Sequence, residues 1–238
     1  MISVIIPMYN EKDINLNLKE IFSGLKQLKE NFEILIVDDG SKDNSFEKAI
    51  ESAKEINSKK IKLLRYTKNQ GKGFALRHGF YKSKGDIIIF LDSGTELDSR
   101  QIKYFLKYLE ENDIIIGSKR HPQSKVYYPL FRRFMSRIYQ TMNRILFNLE
   151  IRDTQVGLKI FKREVLERIM PRILCKKFAF DLEVLVNANK LKYKIKEVPI
   201  ELKYKFSSTI NPEAVFLMIL DTLAIFYRLN ILRYYDRE

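Results

Sequence analysis

Short apolar runs separated by amphipathic stretches make up the first half of the chain. Residues 2–7, 32–37, 61–66, 86–91 and 114–116 are apolar and largely lack period-two alternation. Runs of that length without alternation predict strands covered on both faces, hence a mostly parallel sheet with helices on each side. The stretches between them, at 12–29, 44–56, up to about 82 and 101–111, carry helical spacing. In such sheets ligands bind beyond the carboxyl ends of the strands. The polar clusters at 9–11, 38–41 and 92–96 are expected there.

The second half reads differently. Residues 128–149 predict an amphipathic helix, with Arg133, Arg137, Gln140 and Arg144 on one face. Phe131, Phe134, Met135, Ile138, Met142, Ile145, Leu146 and Leu149 form a broad apolar face opposite. A strand at 158–161, a helix at 181–189 and a half-exposed, alternating strand at 195–204 follow. An apolar helix is expected from residue 212, with Asn211 as N-cap and proline in first position. No internal repeat, low-complexity tract or linker interrupts the pattern. The expected organisation is one domain over 1–238, in three parts: 1–118, 119–211 and a C-terminal apolar and basic helix at 212–238.

Composition adds a core-forming chain, 45% hydrophobic over 238 residues, and a single cysteine, Cys175, which rules out an internal disulfide and reads as a small buried residue. The net charge is +13, and it is lopsided. Residues 1–118 carry 19 basic and 18 acidic side chains, residues 119–238 carry 24 and 12. No acid occurs from Ile114 to Leu149, where Lys119, Arg120, Lys125, Arg132, Arg133, Arg137 and Arg144 all fall. Such a block implies an anionic partner: a phosphate ligand, an anionic lipid surface or nucleic acid. Residues 1–7 have no charged leader and read as a strand, not a signal peptide. The longest apolar stretch, 214–227, is interrupted by Asp221 and falls short of the roughly 20 residues that span a bilayer.

Three places have the residue types for chemistry. Asp38-Asp39-Gly40-Ser41 ends a buried strand, and its carboxylates suit ribose hydroxyls or a base N–H; an ordinary Asx turn is the plainer reading. Asp92 ends a very apolar strand, with Glu96 four residues on, and two oxygen ligands on a hard cation would neutralise a diphosphate. Asn69-Gln70-Gly71-Lys72-Gly73 opens a helix, where amides and a lysine form a natural anion site, but its spacing is not that of a Walker loop. His78 and His121 lack metal-ligand spacing and read as structural.

Taken in order, Pro7-Met8-Tyr9-Asn10-Glu11, Val37-Asp38-Asp39-Gly40-Ser41, Asn69-Gln70-Gly71-Lys72-Gly73, Leu91-Asp92 and Ile116-Gly117-Ser118-Lys119 resemble the motifs of family-2 glycosyltransferases. Residues 153–161 and 180–185, Glu197-Val198-Pro199 and residues 207–212 resemble its polyprenyl-phosphate branch, nearest the dolichyl-phosphate glucosyltransferase type. The resemblance covers nearly the whole chain. It implies a GT-A fold, α/β and Rossmann-like, and inverting transfer of one hexose from a UDP-glucose or GDP-mannose type donor to polyprenyl or dolichyl phosphate. Carried over by position, Pro7, Tyr9, Glu11, Asp39 and Lys72 hold the nucleotide. Asp92 and Glu96 hold a divalent metal, Mg²⁺ or Mn²⁺. Lys119, Arg132 and Ser136 grip the acceptor phosphate, Arg132 and Ser136 being one helical turn apart. Gln155 and Lys159 line the sugar and acceptor side, where Asp181 joins Asp92 as a catalytic carboxylate.

Two departures matter. The family's usual Asp-x-Asp has Gly94 in third position here, while Glu96 stands in a fifth position that some relatives use as a ligand. Lys119 replaces a common arginine, a point charge in place of a two-pronged donor. The resemblance places the chain at the cytoplasmic face of a membrane as a peripheral protein and leaves room for a homo-oligomer. Against it stand a family-2 enzyme with a soluble glycan acceptor, a non-catalytic nucleotide-sugar binder with a degenerate metal site, and a nucleic-acid binder. Paired aspartates at strand ends, and basic residues sharing a helix with a wide apolar face, argue against nucleic acid.

Overall fold

A strand that is apolar on both faces must be covered twice, and the central strands here are. The computed structural model describes residues 1–94, 96–126, 130–203 and 212–236, with backbone alone at 130–132 and 212. Its strands are β1 (Ile2–Met8), β2 (Phe32–Asp38), β3 (Ile61–Arg65), β4 (Ile87–Leu91), β5 (Ile114–Ser118), β6 (Leu158–Lys162) and β7 (Ile195–Pro199). Its helices are α1 (Ile14–Leu25), α2 (Ser45–Ile56), α3 (Lys72–Lys82), α4 (Ile102–Leu106), α5 (Leu130–Phe147), α6 (Arg163–Ile169), α7 (Phe180–Lys190) and α8 (Pro212–Asn230). Every residue of β1 and β2 is buried.

The strands form one seven-stranded sheet in the order β3-β2-β1-β4-β6-β5-β7. Six strands share a direction, and β6 runs against β4 and β5. This is the expected α/β architecture. β1, β2 and β4 are neighbours, with Met8 in register with Asp38 and Ile5 with Phe90. The loops after Met8, Asp38 and Leu91 therefore open side by side along one edge of the sheet.

Several expectations are corrected. The segment 101–111 is a five-residue α-helix flanked by 3₁₀ turns at Ser99–Gln101 and Lys107–Glu110. The strand expected over 195–204 stops at Pro199, which has no N–H to continue a ladder; among the described residues beyond it, isolated bridges join Glu201 to Lys125 and Leu202 to Leu97, and residue 204 lies outside the described residues. Helix α6 was not anticipated, because its apolar residues fall within seven positions. Asn211, expected as an N-cap, lies outside the described residues.

Helix α5 also turns differently from its apolar pattern. Tyr139, Gln140, Asn143 and Phe147 are buried, whereas Phe134, Ile138 and Ile145 are 60%, 50% and 77% exposed. Gln140 stays on the side of Arg133, Arg137 and Arg144, lining the same cavity, but it is buried there and reaches Thr154 Oγ1 at 3.4 Å. The inward side pairs with α8 through Tyr139 and Thr222 hydroxyls 3.2 Å apart and the Phe147–Phe226 ring contact.

A close approach sets the position of α3. A Cβ on Gly73 would lie 2.4 Å from Phe180 Cβ, at the start of α7. Gly73→Ala is expected to push α3 from α7 and to lower the unfolding free energy by about 1–3 kcal/mol, as overpacking does. Urea denaturation followed by far-UV circular dichroism measures it; an unchanged midpoint would refute the close packing.

Candidate active site

The loop after β1 is tied to both neighbours. Asn10, in the left-handed region at φ 50°, donates its N–H to Ser41 Oγ at 3.0 Å and accepts Lys42 N–H at 2.9 Å. Ser93 donates to Glu11 Oε2 at 2.8 Å, which joins this loop to the one after β4. Pro7 is buried within β1, and Tyr9 at the strand end is 43% exposed. Pro7, Tyr9, Glu11 and Asp39 therefore sit on one braced edge. Asn10 does the bracing, and its place inside the first motif was the available sign.

Asp39 changes the reading of the glycine loop. One carboxylate oxygen accepts from Tyr66 Oη at 2.7 Å and Gln70 N–H at 2.8 Å. The other accepts from Gly71 N–H at 2.8 Å and Asn69 Nδ2 at 3.0 Å. Two of the amides expected to cradle a ligand anion are thus donated to the chain's own carboxylate, and Phe74 N–H goes to Lys176 O at 3.1 Å. Gly71 is required here: its φ is 102°, and a Cβ would meet Lys176 O at 2.5 Å.

Lys72 leaves that loop toward the acids. Its Nζ is 2.6 Å from Asp92 Oδ1 and 3.7 Å from Asp181 Oδ2. On the far side of Asp181, Lys159 Nζ lies 2.6 Å from Oδ1 and donates to Val156 O at 2.6 Å. Two ammonium groups and two carboxylates alternate. Burial opposes ionisation of Asp92, yet the Lys72 ammonium beside it holds its carboxyl below the ordinary value. Burial lowers the pKa of Lys72 and the two carboxylates more than reverse it, so the net shift is upward. At Lys159, 1% exposed, burial and the like charge of Lys72 win over Asp181 and the shift is downward. Asp92 alone of the four is half-exposed. Gly157 makes room for it: a Cβ there would lie 2.2 Å from Asp92 Oδ2.

Two cavities meet at Lys119. The smaller, about 210 Å³, is lined by Asp92, Gly94, Glu96 and Gln155 among others, and the buried Gln155 Nε2 has no protein partner. The larger, about 840 Å³, lies along α5 and takes in Ser136, Arg133 and Arg137. Lys119 Nζ is 3.7 Å from Asp153 Oδ2. Lys159 and Asp181 line neither cavity. The Arg132 side chain lies outside the described residues. Among the described residues, no three His, Cys, Asp or Glu side chains converge as a metal cage. The two carboxylates on the smaller cavity, Asp92 and Glu96, nevertheless suit a cation that completes its shell with substrate phosphates.

A further buried carboxylate, Glu183, was not anticipated. It is 0% exposed and accepts from Leu174 N–H at 3.0 Å, Cys175 N–H at 2.7 Å and the Tyr235 hydroxyl; Arg228 Nη1 lies 3.5 Å away. A second acid beside Asp181 in the largely apolar Phe180–Val186 run was the signal. Burial beside Glu183 pushes the Cys175 thiol pKa up, which agrees with an inert buried residue.

Comparison with known proteins gives a consistent picture. The sequence model described as glycosyl transferase family 2 matches residues 3–170. A dolichyl-phosphate beta-glucosyltransferase of Dictyostelium discoideum is 32% identical over 89% of this chain and 69% of its own length. One of Trichomonas vaginalis is 33% identical over 100% and 77%. The human one is 30% identical over 84% and 66%. Among solved structures, mannosyl-3-phosphoglycerate synthase from Rubrobacter xylanophilus aligns with a TM-score of 0.74 at 16% identity, over 100% of this chain and 76% of its own. Glucosyl-3-phosphoglycerate synthase from Mycobacterium tuberculosis, bound to Mn²⁺, UDP and phosphoglyceric acid, aligns at 0.71 with 17% identity, over 95% and 77%. These two share the fold.

The charge square predicts a specific pattern of stability. Asp181→Asn leaves Lys159 buried without its partner and is expected to cost about 3–5 kcal/mol, read from urea denaturation. Adding Lys159→Met should recover most of that loss. A single variant as stable as the parent would show that the pair does not hold the site.

Proposed function

The chain belongs to glycosyl transferase family 2, and from that footing we propose that it moves one glucose from a nucleotide diphosphate sugar to a dolichyl or other polyprenyl phosphate, with inversion. The observation that carries this reading is the pair of cavities joined at Lys119, one edged by Asp92 and Glu96, the other by cations. Donor and acceptor meet where those two environments meet. The names of the relatives supply glucose and dolichyl phosphate as the choice of substrates.

An acceptor phosphate oxygen attacks the anomeric carbon as the bond to the nucleotide diphosphate breaks. The acceptor is already an anion near neutral pH, so alignment and stabilisation of the leaving group are the tasks. Lys119 and Ser136, with Arg132, hold the acceptor phosphate. Gln155, its Nε2 unpartnered, donates to a sugar hydroxyl. Lys72, between Asp92 and Asp181, faces the leaving diphosphate, and Lys159 fixes Asp181 from below. Asp39 serves the nucleoside by fixing the 66–71 loop, while Tyr9 and Glu11 line its edge. Asp92 and Glu96 would hold a divalent cation, Mg²⁺ or Mn²⁺, which when bound would supply neutralising charge for the diphosphate. In this division of labour, 1–118 binds the donor, 119–211 the acceptor, and 212–238 the membrane.

Membrane seating follows from exposed apolar side chains. Besides Phe134, Ile138 and Ile145, helix α8 exposes Phe216, Leu223 and Tyr227 at 60%, 47% and 51%. Among the described residues, no helix is long and apolar enough to cross a membrane. The two helices rest on the cytoplasmic face with the arginines of α5 at headgroup level, while Arg228 of α8 turns inward to Glu183.

The direct test is transfer of radiolabelled glucose from UDP-glucose to dolichyl phosphate in the presence of Mn²⁺. Asp92→Asn is expected to lower kcat by about 10²–10³-fold and to make calorimetric UDP affinity insensitive to EDTA. No lipid-linked product from the parent enzyme would defeat the reading. UDP affinity that EDTA leaves unchanged in the parent would remove the metal.

Flotation tests the membrane seat. The parent should float with anionic liposomes at low salt and release in part at high salt, because screening weakens the charge term alone. Truncation before α8 would also remove Tyr235 from Glu183, so the probe is Phe216→Asp with Leu223→Asp, both exposed. That variant should lose flotation and keep UDP binding; flotation equal to the parent would count against the seat.

A further inference from the structure

The cation content of the large cavity exceeds what one acceptor phosphate needs. Lys119, Arg120, Arg133, Arg137, Arg144 and Arg152 line it; among the described lining residues Glu150 is the carboxylate, and Asp153 stands behind Lys119, so cations still outnumber acids. A phosphate monoester brings about two negative charges. The arrangement is also too long for one phosphate. Arg144 follows Ser136 by eight positions, which is about 12 Å along a helix at 1.5 Å per residue.

The geometry of α5 indicates where a second anion would come from. Arg133, Arg137 and Arg144 make a stripe along the helix, and Phe134, Ile138 and Ile145 make another, each one residue later and so about 100° around. The arginine stripe lines the cavity, and the apolar stripe is exposed. A phosphate entering beside the arginines with an acyl chain attached would have that chain meet the apolar stripe. A soluble phosphate would leave that stripe unused.

We propose that the end of this cavity at Arg144 is a second phosphate subsite, which takes the phosphomonoester headgroup of an anionic membrane phospholipid while the acceptor occupies the Lys119–Ser136 end. The subsite rests on the acceptor assignment above only for which end is left vacant. Its occupant seats α5 at the bilayer and holds the cavity open toward the lipid phase.

The test compares vesicles of equal surface charge containing either phosphatidic acid or phosphatidylserine. The parent should bind phosphatidic acid vesicles about tenfold more tightly, the margin expected when an added charge-assisted contact is made. Arg144→Gln should abolish that preference. Lys125→Gln, which removes an exposed cation outside the cavity, should keep it. Equal affinity for the two vesicles, or equal behaviour of the two variants, overturns the subsite. Inorganic phosphate separates the sources: if it raises the thermal midpoint of the parent but not of Arg144→Gln while the vesicle preference is absent, the lipid assignment fails. Kinetics in neutral detergent separate this proposal from the acceptor reading. Arg144→Gln should leave the KM for polyprenyl phosphate within about twofold of the parent, and Ser136→Ala should raise it, by an amount typical of one lost hydrogen bond. If both raise it alike, the cavity is one acceptor site and the subsite is overturned, though the acceptor reading stands. If Ser136→Ala has no effect while Arg144→Gln still removes the vesicle preference, the subsite stands and the acceptor assignment fails.

Discussion

The ammonium group of Lys72, set between Asp92 and Asp181, joins four elements that the chain supplies far apart: the end of β4, the start of α3, the start of α7 and, through Lys159, the strand β6. Such a square is costly to bury, and removing one member strands an uncompensated charge. Its members accordingly carry their charges under mutual constraint, and the Lys72 ammonium holds the half-exposed Asp92 carboxyl below its ordinary pKa. Small residues permit the arrangement. Gly73 lets α3 approach Phe180, and Gly157 leaves space for the Asp92 carboxylate. The site is therefore a packing solution as much as an electrostatic one.

Glu183 extends that constraint to the C-terminal helix. It holds Tyr235 and Arg228 from beyond and within α8, and the backbone at Leu174 and Cys175. Two residues earlier in the same helix stands Asp181, and the loop between carries Lys176, whose carbonyl caps α3. The face that carries exposed apolar residues and the charge square are thus connected by one short helix.

The two halves of the molecule divide along the same line as their charge. The nearly neutral half builds the parallel sheet and the braced loops at its edge. The basic half supplies the cations around the large cavity and the helices with exposed apolar side chains. In the function proposed above, the donor would be held by fixed backbone geometry, and the acceptor by charge and by access from the exposed apolar faces. One chain meets both demands because Lys119, at the end of β5, belongs to both cavities.

The amino-acid pattern alone determined the parallel core, since unbroken apolar strands have no other way to bury both faces. It also placed the polar clusters at the strand ends, and the ordered motifs identified the family. What it did not reveal was which polar groups satisfy one another. The glycine loop at 69–73 looked like an anion site because its amides are local, but Asp39, some thirty residues earlier, takes two of them. Gln140 keeps its place beside the arginines of α5, but nothing local showed that it is buried there against Thr154. Lys159 looked like a sugar contact and proved to be the buried partner of Asp181. Each of these depends on a partner distant in sequence, and the pairing of buried polar groups is settled only when tertiary packing brings the partners within hydrogen-bond reach.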